Sequence, residues 1–317
     1  MKNKNILIVG ANGAMAMETI KHLIKKGYAE ITMACRDYNK GLIAKKEILN
    51  WVEAQETNLK VIGGFDMNKP QLIRAAVQNI KEKFPFDIVF LAAGFAVFSD
   101  DFQAVEWESS RIEKTIFQNL IGSHVTLEAL KGAGLVAKEA RVVLAGGEGA
   151  RGIKGMIDKP VFSSFNAFKN YVYLKSDLKY NPLNAIGISK LCGALWVTKV
   201  AELERGNMEV IWFSPGLTSG SSGLQVLPRV KRIVFGITFS IMNLLGKSQT
   251  PEAGGKKYAD CLTGKLGETG SLLGAPAGKS IGKLTDQKPM NSLFINREFI
   301  DGFWEIVERT IGKYQTK

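Results

Sequence analysis

The stretch Ile6-Leu7-Ile8-Val9-Gly10-Ala11-Asn12-Gly13-Ala14-Met15-Ala16 decides the fold of this chain. Its four leading apolar residues are typical of a strand that is buried on both faces of a parallel sheet. The glycines permit a tight turn, and an amphipathic helical pattern follows over Met15–Lys26. In such a strand–turn–helix unit the turn binds the pyrophosphate of a dinucleotide at the helix N-terminus. The residues that we expect to bind it are Gly10, Asn12, Gly13, Ala14 and Met15.

Similar apolar runs recur along the chain, with helical patterns between them. These runs are Ile31–Cys35, Leu59–Ile62, Ile88–Leu91, Val142–Ala145 and Val210–Phe213. The alternation predicts right-handed βαβ crossovers. The predicted fold class is therefore α/β, with a single Rossmann-type doubly wound parallel sheet, helices on both faces and a helical lid insertion. We expect residues 1–317 to form one NAD(P)-binding domain.

Composition excludes several classes of protein. Of 317 residues, 45% are hydrophobic and 23% charged, which is typical of a globular chain and not of a disordered one. The net charge of +12 comes from scattered lysines, which are typical of a solvated surface, so no nucleic-acid partner is expected. Apolar runs are too short for a transmembrane helix, and the three cysteines lack metal-ligand spacing. We expect a cytoplasmic protein without a metal site.

The end of the second predicted strand bears on the choice of cofactor. An acidic residue at this position binds the ribose hydroxyls of NAD, whereas an arginine accommodates the 2′-phosphate of NADP. Here Arg36 comes first and Asp37 follows it. The guanidinium of Arg36 suits a phosphate, so NADP (NADPH) is the predicted cofactor, while Asp37 leaves NAD as the alternative.

Further motifs, taken in chain order, resemble the short-chain dehydrogenase/reductase family. They are Phe65-Asp66-Met67, Leu91-Ala92-Ala93-Gly94, Asn119, Ser189-Lys190-Leu191 and Pro215-Gly216. Within the family, the segment around Arg36 and the long inserts most resemble the retinol dehydrogenase and protochlorophyllide reductase branches. The resemblance departs from the family at Leu91-Ala92-Ala93-Gly94, where two asparagines are replaced.

The resemblance implies roles for these residues. Asp66 and Met67 would flank the adenine ring, while Asn119 and Lys190 would organise the catalytic end, with Lys190 bound to the nicotinamide ribose. The remaining residues expected to line the cofactor are Ala92, Ala93, Gly94, Pro215, Gly216 and Thr218.

The family's proton relay is incomplete in this sequence. Its catalytic tyrosine lies one helical turn before the lysine, where this chain has Ile186, and an isoleucine carries no proton. Its serine falls near Gly147. Glu148 is a candidate replacement, since a desolvated carboxyl can be held protonated. The sequence therefore predicts either an oxidoreductase with an atypical active site or a non-redox dinucleotide-binding protein (a pseudoenzyme, sensor or cyclase).

Two segments interrupt the strand–helix alternation. Residues 146–181 predict an active-site insert, in which Tyr171, Tyr173 and Tyr180 are interpreted as packed or surface residues. Residues 214–255 predict a substrate lid, with Phe235 and Phe239 in its apolar centre. This centre would line a pocket for a hydrophobic small molecule, rest on a membrane surface as a peripheral contact, or pack on the protein or a second subunit. The resemblance also implies a homo-oligomer.

Overall fold

The computed structural model describes residues 2–51, 57–81, 84–219 and 245–313. Within these residues the main sheet has eight strands. They are β1 (Lys2–Val9), β2 (Tyr28–Ala34), β3 (Asn58–Ile62), β4 (Phe86–Leu91), β7 (Val136–Ala145), β8 (Glu209–Phe213), β9 (Leu272–Gly274) and β10 (Thr285–Asp286). A separate antiparallel hairpin is formed by β5 (Ala104–Trp107) and β6 (Ser110–Glu113).

The helices follow the strands in the alternation that the sequence predicts. They are α1 (Ala14–Lys25), α2 (Tyr38–Trp51), α3 (Pro70–Gln78), α4 (Lys114–Ile116), α5 (Gly122–Gly132), α6 (Phe165–Val172), α7 (Pro182–Leu203), α8 (Pro251–Leu262) and α9 (Arg297–Ile311). No helix among the described residues is long and apolar enough to cross a bilayer.

The strand order is β3-β2-β1-β4-β7-β8-β9-β10, and every pairing is parallel except that of β9 with β10. Strand β1 lies between β2 and β4. The chain adds β2 and β3 on one side of β1 and then crosses to add β4 on the other side. The resulting crevice at the carboxyl ends of β1 and β4 is where a doubly wound sheet binds ligands. The predicted fold class is confirmed in its sheet and its helices.

Both faces of the sheet are covered by helices because its strands are apolar on both sides. In β1, Leu7 and Val9 face one hydrophobic core and Ile6 and Ile8 face the other. The first core includes residues of α3, α5, α7 and α9, whereas the second includes residues of α1, α2 and α8. This two-sided burial explains the near-continuous apolar runs of the sequence.

The first predicted insert contains a helix, and the second is described only in part. Residues 146–181 contain helix α6, whose Phe168 packs against Phe299 and Phe303 of α9 at ring distances of 5.6 and 5.7 Å. Of the predicted lid, residues 220–244 lie outside the described part of the chain, and Phe235 and Phe239 with them. The lid's last residues, 251–255, begin helix α8, which packs on α1 so closely that a Cβ on Gly255 would approach Glu18 Cβ to 2.6 Å.

Candidate functional site

A cavity of about 720 Å³ opens at the carboxyl ends of the central strands. Nearly all the site residues that the sequence predicts line this cavity, and Asn119 is the exception. Those that line it are Gly10, Asn12, Gly13, Ala14, Met15, Arg36, Asp66, Met67, Ala92, Ala93, Gly94, Glu148, Lys190, Pro215, Gly216 and Thr218. The fold thus brings segments that are distant in sequence into one cleft.

The glycine turn between β1 and α1 lies tightly against the chain at the end of β4. Gly10 has a φ of +79°, and a Cβ there would lie 2.8 Å from the Cα of Ala93, so only glycine fits. Gly13 is the N-cap residue of α1 and offers no capping side chain. An uncapped helix N-terminus at a glycine turn is a ready site for a phosphate. This end of the cleft therefore fits the pyrophosphate of a dinucleotide.

Two cations lie at the end of the cleft beside β2. Arg36 and Lys40 are exposed and line the cavity. Between them in sequence, Asp37 caps helix α2, because its Oδ1 accepts a hydrogen bond of 2.9 Å from the Lys40 backbone N–H. The cap engages one carboxylate oxygen of Asp37, which lines the cavity together with the two cationic residues.

Asn119 lies behind the cavity wall, in a π-helical turn over Phe117–Ile121. Its Nδ2 donates to the carbonyl oxygens of Phe95 at 2.9 Å and Thr115 at 2.8 Å. Its Oδ1 lies against Gly94, where a Cβ would approach it to 2.2 Å. Asn119 therefore positions the turn after β4 from behind.

Lys190 and Ile186 lie one turn apart on α7, and both line the cavity. Lys190 Nζ donates a hydrogen bond of 2.8 Å to the carbonyl oxygen of Ala145 at the end of β7. Burial of its ammonium lowers the pKa of Lys190 to about 8. Ile186, one turn before it, has an aliphatic side chain that carries no proton.

Glu148 is buried at the same end of the cleft. Its Oε2 accepts a hydrogen bond of 2.5 Å from the Ser214 hydroxyl, and its Oε1 accepts one of 3.1 Å from the Ala275 N–H. Both carboxylate oxygens thus have protein partners. These contacts connect the turn after β7 to the turns after β8 and β9. Glu148 therefore stabilises the arrangement of these turns and acts as a structural anchor.

The turn after β8 is held from two sides. The carbonyl oxygen of Pro215 accepts hydrogen bonds from Gln249 Nε2 at 2.7 Å and from Lys257 Nζ at 2.9 Å. Leu217 N donates to Ser280 O at 2.7 Å. The wall formed by Pro215, Gly216 and Thr218 is therefore rigidly connected to the loops behind it.

The part of the cavity beyond Lys190 is mainly apolar. Its lining is contributed by the turn after β4, by the 146–181 insert and by the start of α7. The residues are Phe95, Ala96, Phe98, Ile153, Met156, Ile157, Leu183 and Ile186. Such a surface binds an apolar ligand and offers no proton donor of its own.

The three tyrosines of the insert are not among the cavity-lining residues. Tyr171 is buried and contacts the ring of Phe102 edge-on, and Tyr180 donates a hydrogen bond of 2.7 Å to the carbonyl of Val97. Tyr173 is half-buried, and its burial raises its pKa. Their packing agrees with the interpretation made from the sequence.

Sequence reasoning missed four polar side chains of the cavity, which are Lys40, Asn68, Ser214 and Tyr258. Lys40 follows Arg36 by about one helical turn, and this spacing could have identified it. Tyr258 lies far along the chain on α8, where no motif marks it.

Known proteins similar to this chain share its fold. The family model described as KR domain matches residues 5–115. The short-chain dehydrogenase fogG of Aspergillus ruber is 24% identical over 208 residues, which are 64% of this chain and 56% of that protein. The match thus spans a little over half the length of this relative.

Solved structures align over most of the chain. The NADPH-dependent 3-quinuclidinone reductase of Rhodotorula rubra aligns with a TM-score of 0.58 at 15% identity, over 85% of this chain and 88% of that one. A short-chain dehydrogenase/reductase of Brucella melitensis, titled a glucose/ribitol dehydrogenase, aligns with a TM-score of 0.55 at 14% identity, over 85% and 93%. At these identities the structures establish the fold.

Proposed function

We propose that this chain, which the comparisons support as a member of the short-chain dehydrogenase/reductase family of oxidoreductases, is an NADP-dependent enzyme with an atypical active site. It would transfer hydride to or from a hydrophobic small molecule. The observation that carries the proposal is the cleft itself. It retains the glycine turn, the uncapped N-terminus of α1 and Lys190, although Ile186 and Gly147 stand where the family has its tyrosine and serine.

The preference for NADP rests on the charges beside β2. Arg36 and Lys40 would bind the 2′-phosphate, since a guanidinium and an ammonium together offset its charge. Asp37 also lines the cavity, but one of its carboxylate oxygens is engaged as the cap of α2, and two cations flank it. The name of the Rhodotorula rubra reductase states NADPH dependence for that protein, and this agrees with our proposal.

Bound NADPH would supply the hydride. The protein's own contribution begins with Lys190, whose ammonium would donate hydrogen bonds to the ribose while it keeps its bond to Ala145 O. The turn at Pro215 and Gly216 would form one wall of the nicotinamide site, held in place by Gln249, Lys257 and the Glu148–Ser214 hydrogen bond. Ile186 supplies no proton, so the best substrates would need little general-acid assistance.

The apolar lining supports a hydrophobic substrate with a carbonyl or an activated double bond. General acid catalysis contributes about 10²–10⁴-fold, so its loss slows the reduction of a simple ketone but permits hydride transfer to an electron-poor substrate. The resemblance to the retinol dehydrogenase and protochlorophyllide reductase branches is consistent with such a substrate.

The direct test mixes purified protein with NADPH and a panel of apolar ketones, quinones and enones, and follows the absorbance of the reduced nicotinamide. We expect turnover of quinones and enones to exceed that of simple ketones. Tight NADPH binding without turnover on any compound would contradict the proposed redox activity.

A second candidate is a non-redox protein that keeps the dinucleotide site. The observation in its favour is that Ile186 and Gly147 leave the reaction end of the cavity without a hydroxyl at either position of the relay. In that case NADPH would bind and stabilise the fold, whereas no compound of the panel would be reduced.

A further inference from the structure

Tyr258 is a buried phenol at the floor of the cavity. It lies on α8 with 1% of its surface exposed, between Phe90 of β4 at a ring distance of 4.6 Å and Phe213 of β8 at 5.3 Å. Both phenylalanines are close to the carboxyl ends of their strands. The ring of Tyr258 is therefore held directly under the edge of the sheet, at the side of the cleft away from β2.

The hydroxyl of this residue has no protein partner in the described part of the chain. Tyr258 lines the cavity, and none of the described residues forms a hydrogen bond with its phenol oxygen. The ring of Tyr258 is buried, whereas its hydroxyl opens into the cavity, and a tyrosine O–H in such a place ordinarily has a hydrogen-bond partner. Because Tyr258 lines the cavity, we infer that a molecule bound there supplies the hydrogen-bond partner of its hydroxyl.

The position of the side chain on α8 indicates which part of the cleft the hydroxyl reaches. Helical side chains lean toward the helix N-terminus, so Tyr258 covers the turn that contains Gly254. A Cβ on Gly254 would lie 3.1 Å from Thr218 Oγ1 and 3.4 Å from Met15 Sδ, and both of those residues line the cleft. The phenol therefore lies beneath the space between α1 and the turn after β8.

The phenol is neutral and can donate. Burial raises the pKa of Tyr258, and the negative charge of nearby Glu148 raises it further. A neutral O–H is a suitable donor to a phosphate oxygen, a ribose hydroxyl or a carboxamide oxygen, all of which occur in a dinucleotide.

We propose that Tyr258 is a further cofactor-binding residue, whose hydroxyl donates a hydrogen bond to the nicotinamide half of the bound dinucleotide. This inference rests on the proposed function, because it requires a dinucleotide in the cleft. It adds a contact from the floor of the site, contributed by helix α8, which begins within the last residues of the predicted lid.

Tyr258→Phe tests the proposal, since it removes the hydroxyl and keeps the ring between Phe90 and Phe213. We expect NADPH to bind about 5- to 10-fold more weakly to the variant in a calorimetric titration, which is the effect of one hydrogen bond. Adenosine 2′,5′-bisphosphate, which lacks the nicotinamide half, should bind both proteins equally. Without ligand the variant should unfold at about the same temperature as the native protein, because the hydroxyl that it loses opens into the cavity and has no hydrogen bond to the described residues.

Tyr28→Phe is the matched control. Tyr28 is a buried tyrosine at the amino end of β2, whereas the cavity lies at the carboxyl ends of the strands. Removal of its hydroxyl should therefore leave NADPH affinity unchanged. Equal NADPH affinity of Tyr258→Phe and native protein would overturn the inference, as would a matching loss of adenosine 2′,5′-bisphosphate binding. If the native protein binds no NADPH at millimolar concentration, the proposed function fails together with the inference. If the native protein binds NADPH and Tyr258→Phe binds it equally well, only the inference about Tyr258 fails.

Discussion

The side chain of Lys190 lies across Gly147, so closely that a Cβ at position 147 would come within 3.2 Å of Lys190 Cγ. A serine at this position requires Lys190 to move by a few tenths of an ångström. The absence of a side chain at Gly147 and the present position of the lysine are therefore physically linked. Ile186→Tyr alone leaves this contact intact, whereas Gly147→Ser disturbs it.

Ile186→Tyr should create a proton donor one turn before Lys190 on the cavity face of α7. We expect the reduction of simple ketones by NADPH to rise by about 10²-fold or more, the usual scale of general acid catalysis. Steady-state rates with one apolar ketone provide the measurement. Ile186→Phe is the control, because it adds a ring without a hydroxyl, and equal rates for the two variants would show that the hydroxyl transfers no proton.

Arg36→Ala should weaken NADPH binding selectively. A charge-assisted contact to the 2′-phosphate contributes about 1.5–3 kcal/mol, which corresponds to roughly 10- to 100-fold in affinity. NADH lacks that phosphate, so its binding should change little. Calorimetric titrations with both cofactors measure the ratio. Arg111→Ala, on the exposed β5–β6 hairpin, serves as the control, and an equal loss for NADPH and NADH would contradict a 2′-phosphate site at Arg36.

Glu148→Gln distinguishes an anchor from a proton donor. The variant keeps the shape of the side chain but loses the charge that strengthens the hydrogen bonds from Ser214 and Ala275. For an anchor we expect the free energy of unfolding to fall by about 1–2 kcal/mol and the KM for NADPH to rise. Turnover that slows by roughly two orders of magnitude or more, while stability and KM stay unchanged, would instead identify Glu148 as the acid.

The lowered pKa of Lys190 predicts a pH dependence of cofactor binding. Because this pKa is about 8, the free protein loses the proton above that pH and must take it up again to offer an ammonium to the ribose. We expect NADPH affinity to fall by up to about tenfold per pH unit above pH 8. Lys190→Met should bind more weakly at neutral pH and show no such fall. An identical pH profile in both proteins would assign the dependence to another group.

Strands β1, β2, β3, β4, β7 and β8 could be predicted because each contains a short apolar run that the parallel sheet buries on both faces. The short strands β9 and β10 and the β5–β6 hairpin escaped prediction, since two to four residues carry too little periodicity. Helix α6 was missed for a different reason. Its apolar residues pack on α9 from far along the chain, and no local pattern reveals that contact.

In the candidate site too, residues of local motifs could be predicted, whereas residues placed by tertiary contacts could not. Arg36 and the glycine turn belong to a local motif, so the sequence was sufficient to place them. The anchoring of Glu148 depends on Ser214 and Ala275, which tertiary structure alone brings to it. Tyr258 likewise reaches the cleft through the packing of α8 on α1. Contacts between distant segments are therefore the part of the site that sequence reasoning cannot supply.

Calorimetric titration of the purified chain with NADPH, with NADH in a parallel cell, tests the central claim most directly. We predict saturable binding of one NADPH per chain, and distinctly weaker binding of NADH. The absence of binding heat from either nucleotide at millimolar concentration would contradict a dinucleotide site in the cleft between Gly10 and Pro215.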